Sequence, residues 1–443
     1  MAFLIGGANS AAADDAYDVA NSCRFNDDDD ARISRTLGTA TNIDRWTMSC
    51  WVKRCTLGAN SSIFTSEGAG IASTKGTIRF DSGDTLSGYL LYDGGWKSFT
   101  TNEKFRDVSA WYHIVVAVDT TDSTATNRMK VYVNGTQITS FATYNAMDQN
   151  ADTYFNDDTE HQIGSLIDES EDGDMYLSEF VFIDGTQYAA SDFGEFDSDT
   201  PTVFKPKDVS ELTFGDNGAY LDFEDSDNLG DDESGNTNDW TETNLAAADQ
   251  TTDTPTNNFC TLNPLAKIGG PTITEGNTII KSHDTDRGIR ATMAMSTGKW
   301  YFEAKVVYQE GSGVDDAYIG IQDSDGELKL GVNLISDTGQ SSVIYEFRTG
   351  DLRKNGGDIG TNYAAAVNSI IGFKLDLDNG DLYIHDDGTY FNSGNAVVTS
   401  ITSGVFYLPF FGVESEGGKS QWQTNFGGCP GFAISSGNAD ANG

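Results

Sequence analysis

The chain has 443 residues and carries 68 Asp and Glu against 27 Lys and Arg, a formal net charge of -41. The length exceeds one compact domain and sets an expectation of two or three. The charge excludes a nucleic-acid-binding surface, which needs cations along a phosphate track. No segment approaches the roughly 20 apolar residues that span a bilayer, so no membrane insertion is expected.

Only 18 of the acids are Glu. The rest are Asp, whose short carboxylate bonds nearby backbone amides and favours turns, so the composition implies short strands joined by acidic loops. The opening Met1–Ile5 lacks the basic region and apolar length of a secretion signal. Cys23, Cys50, Cys55, Cys260 and Cys429 are scattered and odd in number, which fits reduced core residues better than a disulfide framework or a metal site.

In chain order, residues 1–20 are rich in Ala and Gly and read as an N-terminal arm. Short runs with alternating polarity then follow one another between Gly, Asn and Asp, and helical periodicity is almost absent. Ser22–Phe25, Trp46–Lys53, Trp111–Val116, Val131–Val133, Leu177–Ile183 and Tyr220–Phe223 read as strands, with Asn134-Gly135 as a hairpin turn. Together they span a first domain, 21–224. Residues 225–258, poor in apolar side chains and full of turn formers, read as a linker.

A second domain, 259–432, contains Trp300–Val306, in which Trp300, Phe302, Ala304 and Val306 share one face, and Ile371–Leu377, in which Phe373 and Leu375 point inward. The following Asn379-Gly380 reads as a two-residue hairpin with positive φ at both positions. Residues 433–443 read as a tail. The fold class is all-β, with two consecutive β-sandwich (jelly-roll) domains, an N-terminal arm and an acidic linker.

The first domain resembles the laminin-G-like, concanavalin-A-like jelly rolls. The resemblance is carried in order by Trp46-Thr47-Met48-Ser49-Cys50-Trp51-Val52-Lys53, Trp111-Tyr112-His113-Ile114-Val115-Val116, Val131-Tyr132-Val133-Asn134-Gly135 and Leu177–Gly185. It implies that Ser22–Phe25 and Tyr220–Phe223 pair as first and last strands. The second domain resembles SPRY domains through Lys299–Glu303, Ala317–Ile321, Ile371–Ile384, Tyr407–Phe411 and Gln423–Gly427. The two sandwiches in this order, joined by Asp253–Phe259, resemble structural proteins of marine tailed phages.

Concanavalin-A-like retaining glycosidases need paired carboxylates from a Glu-x-Asp-x-x-Glu strand. Glu195-Phe196-Asp197-Ser198-Asp199 starts correctly but lacks the last Glu, and reads as a turn-like segment outside the core strands. His113, His161, His283 and His385 stand in separate contexts, with His113 in a core strand, and no glycine loop suits a phosphate. No catalytic residue is expected. For a metal, Asp168, Glu169, Asp172 and Asp174 crowd the loop before Leu177 and are the candidate Ca²⁺ ligands; the resemblance places an acidic loop there in calcium-binding relatives. Asp27–Asp30 reads as a solvated charge run. For glycans, the hairpin Gly88–Lys97 supplies Tyr89, Tyr92 and Trp96, with Tyr345 and Tyr363 as candidates in the second domain.

The expected function is therefore a non-enzymatic phage virion-surface protein, a fibre or decoration, whose sandwiches contact host-surface polysaccharide. It would assemble in the host cytoplasm and be released by lysis. Its arm would hold other virion proteins, no cofactor would be required although Ca²⁺ is a candidate, and the resemblance implies a homo-oligomer, with a trimer as the common form. The alternatives are an architectural component that binds only neighbouring virion proteins, and a polysaccharide depolymerase.

Overall fold

The computed structural model describes residues 17–67, 75–92, 94–167, 170–283, 287–310, 316–328, 341–360, 363–414, 419–429 and 431–432. Among them regular structure consists of strands and short 3-10 turns. The cause is local: β-branched and aromatic side chains suit a pleated, half-buried surface, and Gly, Asn and Asp interrupt them every few residues. The chain divides into two compact units, with the boundary between Asn258 and Phe259.

The N-terminal unit is a sandwich of two eight-stranded antiparallel sheets. The first runs Thr136–Gln137, Met129–Val133, Trp111–Asp119, Arg45–Arg54, Met175–Asp184, Ser22–Phe25, Gln250–Thr251, and Ala219–Leu221 also pairs with Met175–Asp184. The second runs Phe141–Tyr144, Gly95–Lys104, Thr85–Tyr92, Lys75–Phe80, Ser61–Glu67, Glu160–Ile163, Arg32–Thr36, Thr241–Thr243. Their inner faces meet in an aromatic core, with Phe64 against Phe155, Phe180 and Phe182, and Trp46 stacked on Phe155.

The C-terminal unit is built from two seven-stranded antiparallel sheets. One centres on Tyr407–Glu414 and Asp316–Asp323, the other on Lys299–Glu310 and Ile370–Asp376. Phe302, Phe373, Phe411 and Trp422 fill its core, as the alternation in the sequence requires.

Four expectations change. Residues 225–258 are not a linker: Thr241–Thr243 pairs with Arg32–Thr36, Gln250–Thr251 pairs with Ser22–Phe25, and Leu229 and Trp240 are buried in the core. Two well-spaced apolar residues were enough to anchor a segment whose composition reads as solvated. Ser22–Phe25 and Ala219–Leu221 do not pair with each other; each pairs with Met175–Asp184. Asn134-Gly135 forms the expected turn, with φ of 46° and 75°, but at Asn379-Gly380 only Gly380 is in the left-handed region, at 73°. Asn379 instead bonds Asp376, its N–H to Oδ1 at 3.1 Å and its Nδ2 to Oδ2 at 2.9 Å, and closes a longer connection. Glu195 lies on a regular strand, Gly194–Phe196, paired with Phe204–Pro206.

Of the arm, Tyr17–Ala20 packs on the sandwich: Val19 is buried and its N–H donates to Thr256 Oγ1 at 3.0 Å. Residues 1–16 and 433–443 lie outside the described residues.

Candidate functional site

The hairpin of Thr85–Tyr92 and Gly95–Lys104 places Tyr89 and Trp96 on the outer side of the second sheet. The register explains the direction. Gly88 faces Ile78 and Phe99, whose side chains are in the core, so the neighbouring pairs Tyr89–Ser98 and Tyr89–Thr77 point away from it. Leu91 opposite Trp96 shares that outward face. The two rings lie 5.8 Å apart and inclined at 52°. Trp96 is 57% and Tyr89 36% exposed, so both offer a face to solvent. The Arg79 guanidinium sits 5.4 Å from the centre of the Tyr89 ring and fixes its pose.

Beside these rings the outer face of the sheet is polar and covered. Ser62, Thr65, Thr77, Ser87, Ser98 and Gln162 are all 5% exposed or less. The segment after Ile163 turns over this face and makes a wall. Thr65 Oγ1 donates to Ser165 O at 3.0 Å, Asn60 Nδ2 donates to Glu171 Oε1 at 2.8 Å, and Arg79 is ion-paired with Glu171. Ser62 Oγ, Thr77 Oγ1, Ser87 Oγ and Gln162 Oε1 have no hydrogen-bond partner. A buried polar group left unpaired costs about 1–3 kcal/mol, but these atoms are closed to solvent, so the surface on offer to a ligand is the pair of exposed rings.

The other glycan candidates are not platforms. Tyr92 is buried in the core, and its hydroxyl donates to the Asp148 carboxylate, which also pairs with Lys97 at 2.9 Å. Those two bonds hold the Asp148 carboxyl below its ordinary range. Tyr345 is fully buried and donates to Tyr363 O at 2.7 Å. Tyr363 is half-buried and its ring is occupied, stacked on Phe391 at 4.4 Å with a 3° tilt. Strand alternation put the Tyr345 ring inside, while Tyr363 lies outside the strands and is held by its stacking on Phe391.

Among the calcium candidates, Asp168 and Glu169 lie outside the described residues. Asp174 is 6% exposed; Thr56 Oγ1 donates to its Oδ2, and its Oδ1 has no partner. Burial pushes the Asp174 carboxyl up to about 7, Asp27 and Asp28 push the same way, and the Thr56 bond opposes them. Asp27 is also raised, by burial and by Asp28 and Asp172. The run at Asp27 and Asp28 therefore faces the acidic loop, which the sequence reading missed. The pairing of Phe25 with Met175 brings the two acidic stretches to one end of the sheet, and no local spacing could report it. Among the described residues no three His, Cys, Asp or Glu side chains converge as a metal-binding group.

His113 is fully buried, its Nε2 2.9 Å from Ser49 Oγ and its ring against Trp51 and Phe204; burial lowers it to about 3. Glu195 and Asp197 both lie near Lys205, each 3.6 Å from its ammonium.

Residues 25–178 match the concanavalin A-like lectin/glucanases superfamily, as its Laminin_G_3 family. A domain of this class suits carbohydrate binding or protein interaction. The chain is also similar to the SPRY domain of human HERC1, with 13% identity over 37% of this chain and 97% of that one and a TM-score of 0.31. It is similar to the TRIM65 PSpry domain, with 12% identity over 38% of this chain and 88% of the other at a TM-score of 0.30. Stonustoxin matches at 16% identity over 38% of this chain and 27% of its own, TM-score 0.28. No curated protein matches the chain. Among the described residues no helix is long and apolar enough to cross a membrane.

Proposed function

We propose that this chain is a non-enzymatic glycan-contacting protein of a phage particle, and that the outer face of the Thr85–Lys104 hairpin sheet is its contact surface. The observation that carries the reading is the exposed Trp96–Tyr89 pair on the outer face of that sheet. Aromatic faces stack on the C–H surfaces of a sugar ring. The placement on a phage particle rests on the sequence resemblance described above, as do the assembly of several copies and the contact with neighbouring virion proteins.

An open, shallow face of this kind gives weak single-site affinity. Arraying copies raises avidity by about 10²–10⁴. Retention on host-surface polysaccharide should therefore be slight for the isolated chain and strong for bead-arrayed copies. Equal, negligible retention of both forms would contradict the proposal. Depolymerase action would show as shortened polysaccharide chains after incubation.

Calcium is the cation the oxygen donors of the acidic loop would take. Asp172 and Asp174 would hold it, with Asp27 and Asp28 supplying further negative charge from the neighbouring strand end. Its contribution would be to neutralise these carboxylates and fix the loop that continues to Glu171.

A further inference from the structure

Glu179 occupies an irregular point in the strand Met175–Asp184. The pairing with Arg45–Arg54 skips between Ser178 and Val181, and Glu179 has a φ of 51°. A side-chain-bearing residue in the left-handed region is strained, and within a strand such a bulge re-aims a side chain. Here the carboxyl is 6% exposed and meets two tyrosines. Tyr17 Oη lies 3.0 Å and Tyr220 Oη 2.8 Å from Glu179 Oε2. The two hydroxyl oxygens are themselves 3.0 Å apart.

These three oxygens form a triangle with every edge at hydrogen-bonding distance. Each edge needs one proton, and a tyrosine hydroxyl supplies one. Two tyrosines serve two edges, so the third proton has to come from the carboxyl. A neutral Glu179 closes the ring, with the acid donating to one tyrosine, that tyrosine to the other, and the second back to Oε2. An ionised Glu179 leaves one pair of oxygens facing each other with no proton between them.

We infer that Glu179 is a neutral carboxylic acid in the folded protein and that the triangle is a proton-operated latch on the chain entering the first strand. The latch holds Tyr17, two residues before Val19, whose N–H and C=O both engage Thr256 Oγ1. The charged groups acting on the triangle are Asp222 and Glu224 on Glu179, and Asp208 on Tyr17, all of them acidic. Burial is the largest influence on the Glu179 carboxyl and these acids add to it; the two tyrosine bonds oppose them, and the balance lies at about 7. Since the latched state holds a proton that the released state gives up, docking weakens as pH rises from the ordinary glutamate range to about 7 and is constant above that.

Hydrogen exchange at the Val19 amide, corrected for its intrinsic pH dependence, reads the latch in the intact chain. Protection should fall about tenfold for each pH unit between pH ~5 and ~6.5 and level off near 7. Glu179→Gln should exchange with no such slope. Where that variant does not fold, Tyr17→Phe serves: it breaks the two triangle edges that tie the arm, so protection should be low across the whole pH range. A flat profile in the unmodified chain, or an unchanged slope in either variant, would overturn the inference.

Discussion

The Lys53 ammonium and the Asp253 carboxylate lie 2.6 Å apart with 1% of either side chain exposed. Trp111 Nε1 donates to the other Asp253 oxygen at 3.0 Å, and Asn258 Oδ1 accepts from Lys53 at 2.9 Å. A pair this dry ties the end of the N-terminal unit to one of its central strands. Breaking one partner of a buried pair leaves an uncompensated charge, which costs about 3–5 kcal/mol. Asp253→Ala should lower the urea midpoint accordingly, while joint replacement of Lys53 and Asp253 by Met and Leu should be far milder. A loss under about 1 kcal/mol for Asp253→Ala would mean that residues beyond 250 contribute little to this unit's stability.

The aromatic pair makes a claim about binding without stability. Trp96→Ala removes a mostly exposed ring, so the melting behaviour should stay within about ±0.5 kcal/mol. Retention of arrayed copies on polysaccharide should fall at least tenfold, a difference of about 1.4 kcal/mol per site or more. Tyr345→Phe is the reverse control. It deletes a buried hydrogen bond to Tyr363 O, worth about 1 kcal/mol, and should leave retention unchanged.

The acidic loop has a pH signature whose sign is fixed. Burial raises the Asp174 carboxyl to about 7 in the folded chain, so the folded state carries an extra proton from the ordinary aspartate range up to that value. Its contribution to stability therefore falls as pH rises through this window and does not recover above it. Burial raises Asp84 and Asp119 as well, but Arg106, Gly58 and Arg54 around Asp84, and Thr121 and Arg45 around Asp119, together outweigh it; both lie below the ordinary range, and their stabilisation is lost as pH falls. Thermal melts of Asp174→Asn should lack the Asp174 decline. Calcium at pH 7.5 should raise the melting temperature of the unmodified chain and leave the variant unmoved; a ligand at 100 times its dissociation constant adds about 2.7 kcal/mol. An equal calcium response in both would exclude Asp174 as a ligand.

Much of the fold was legible because strand alternation is a local signal. Phe302, Ala304 and Val306 are buried as their spacing requires, although Trp300 at the start of the same face is exposed, and Asn134-Gly135 turns where its backbone freedom allows. The failures lie where distant segments meet. Leu229 and Trp240 are too few to look like core, yet pairing with Ser22–Phe25 and Arg32–Thr36 draws their segment into the sandwich. The same limit applies to the site. Trp96 in the Gly88–Lys97 hairpin was readable as exposed, whereas Tyr345 and Tyr363 were not readable as packed, because Phe391, which meets both rings, lies far along the chain. The approach of Asp27 to Asp172, and of Tyr17 to Glu179, spans more than a hundred residues of sequence.

Hydroxyl-radical footprinting of the full chain, with and without the polysaccharide that retains arrayed copies, tests the central claim most directly. Trp300, 44% exposed in the C-terminal unit, serves as the internal reference for Trp96. The account predicts that bound polysaccharide shields Trp96 and Tyr89 from oxidation while Trp300 reacts as before. Undiminished oxidation of Trp96, with shielding at Trp300 or nowhere, would contradict it and remove the outer face of the second sheet as the binding surface.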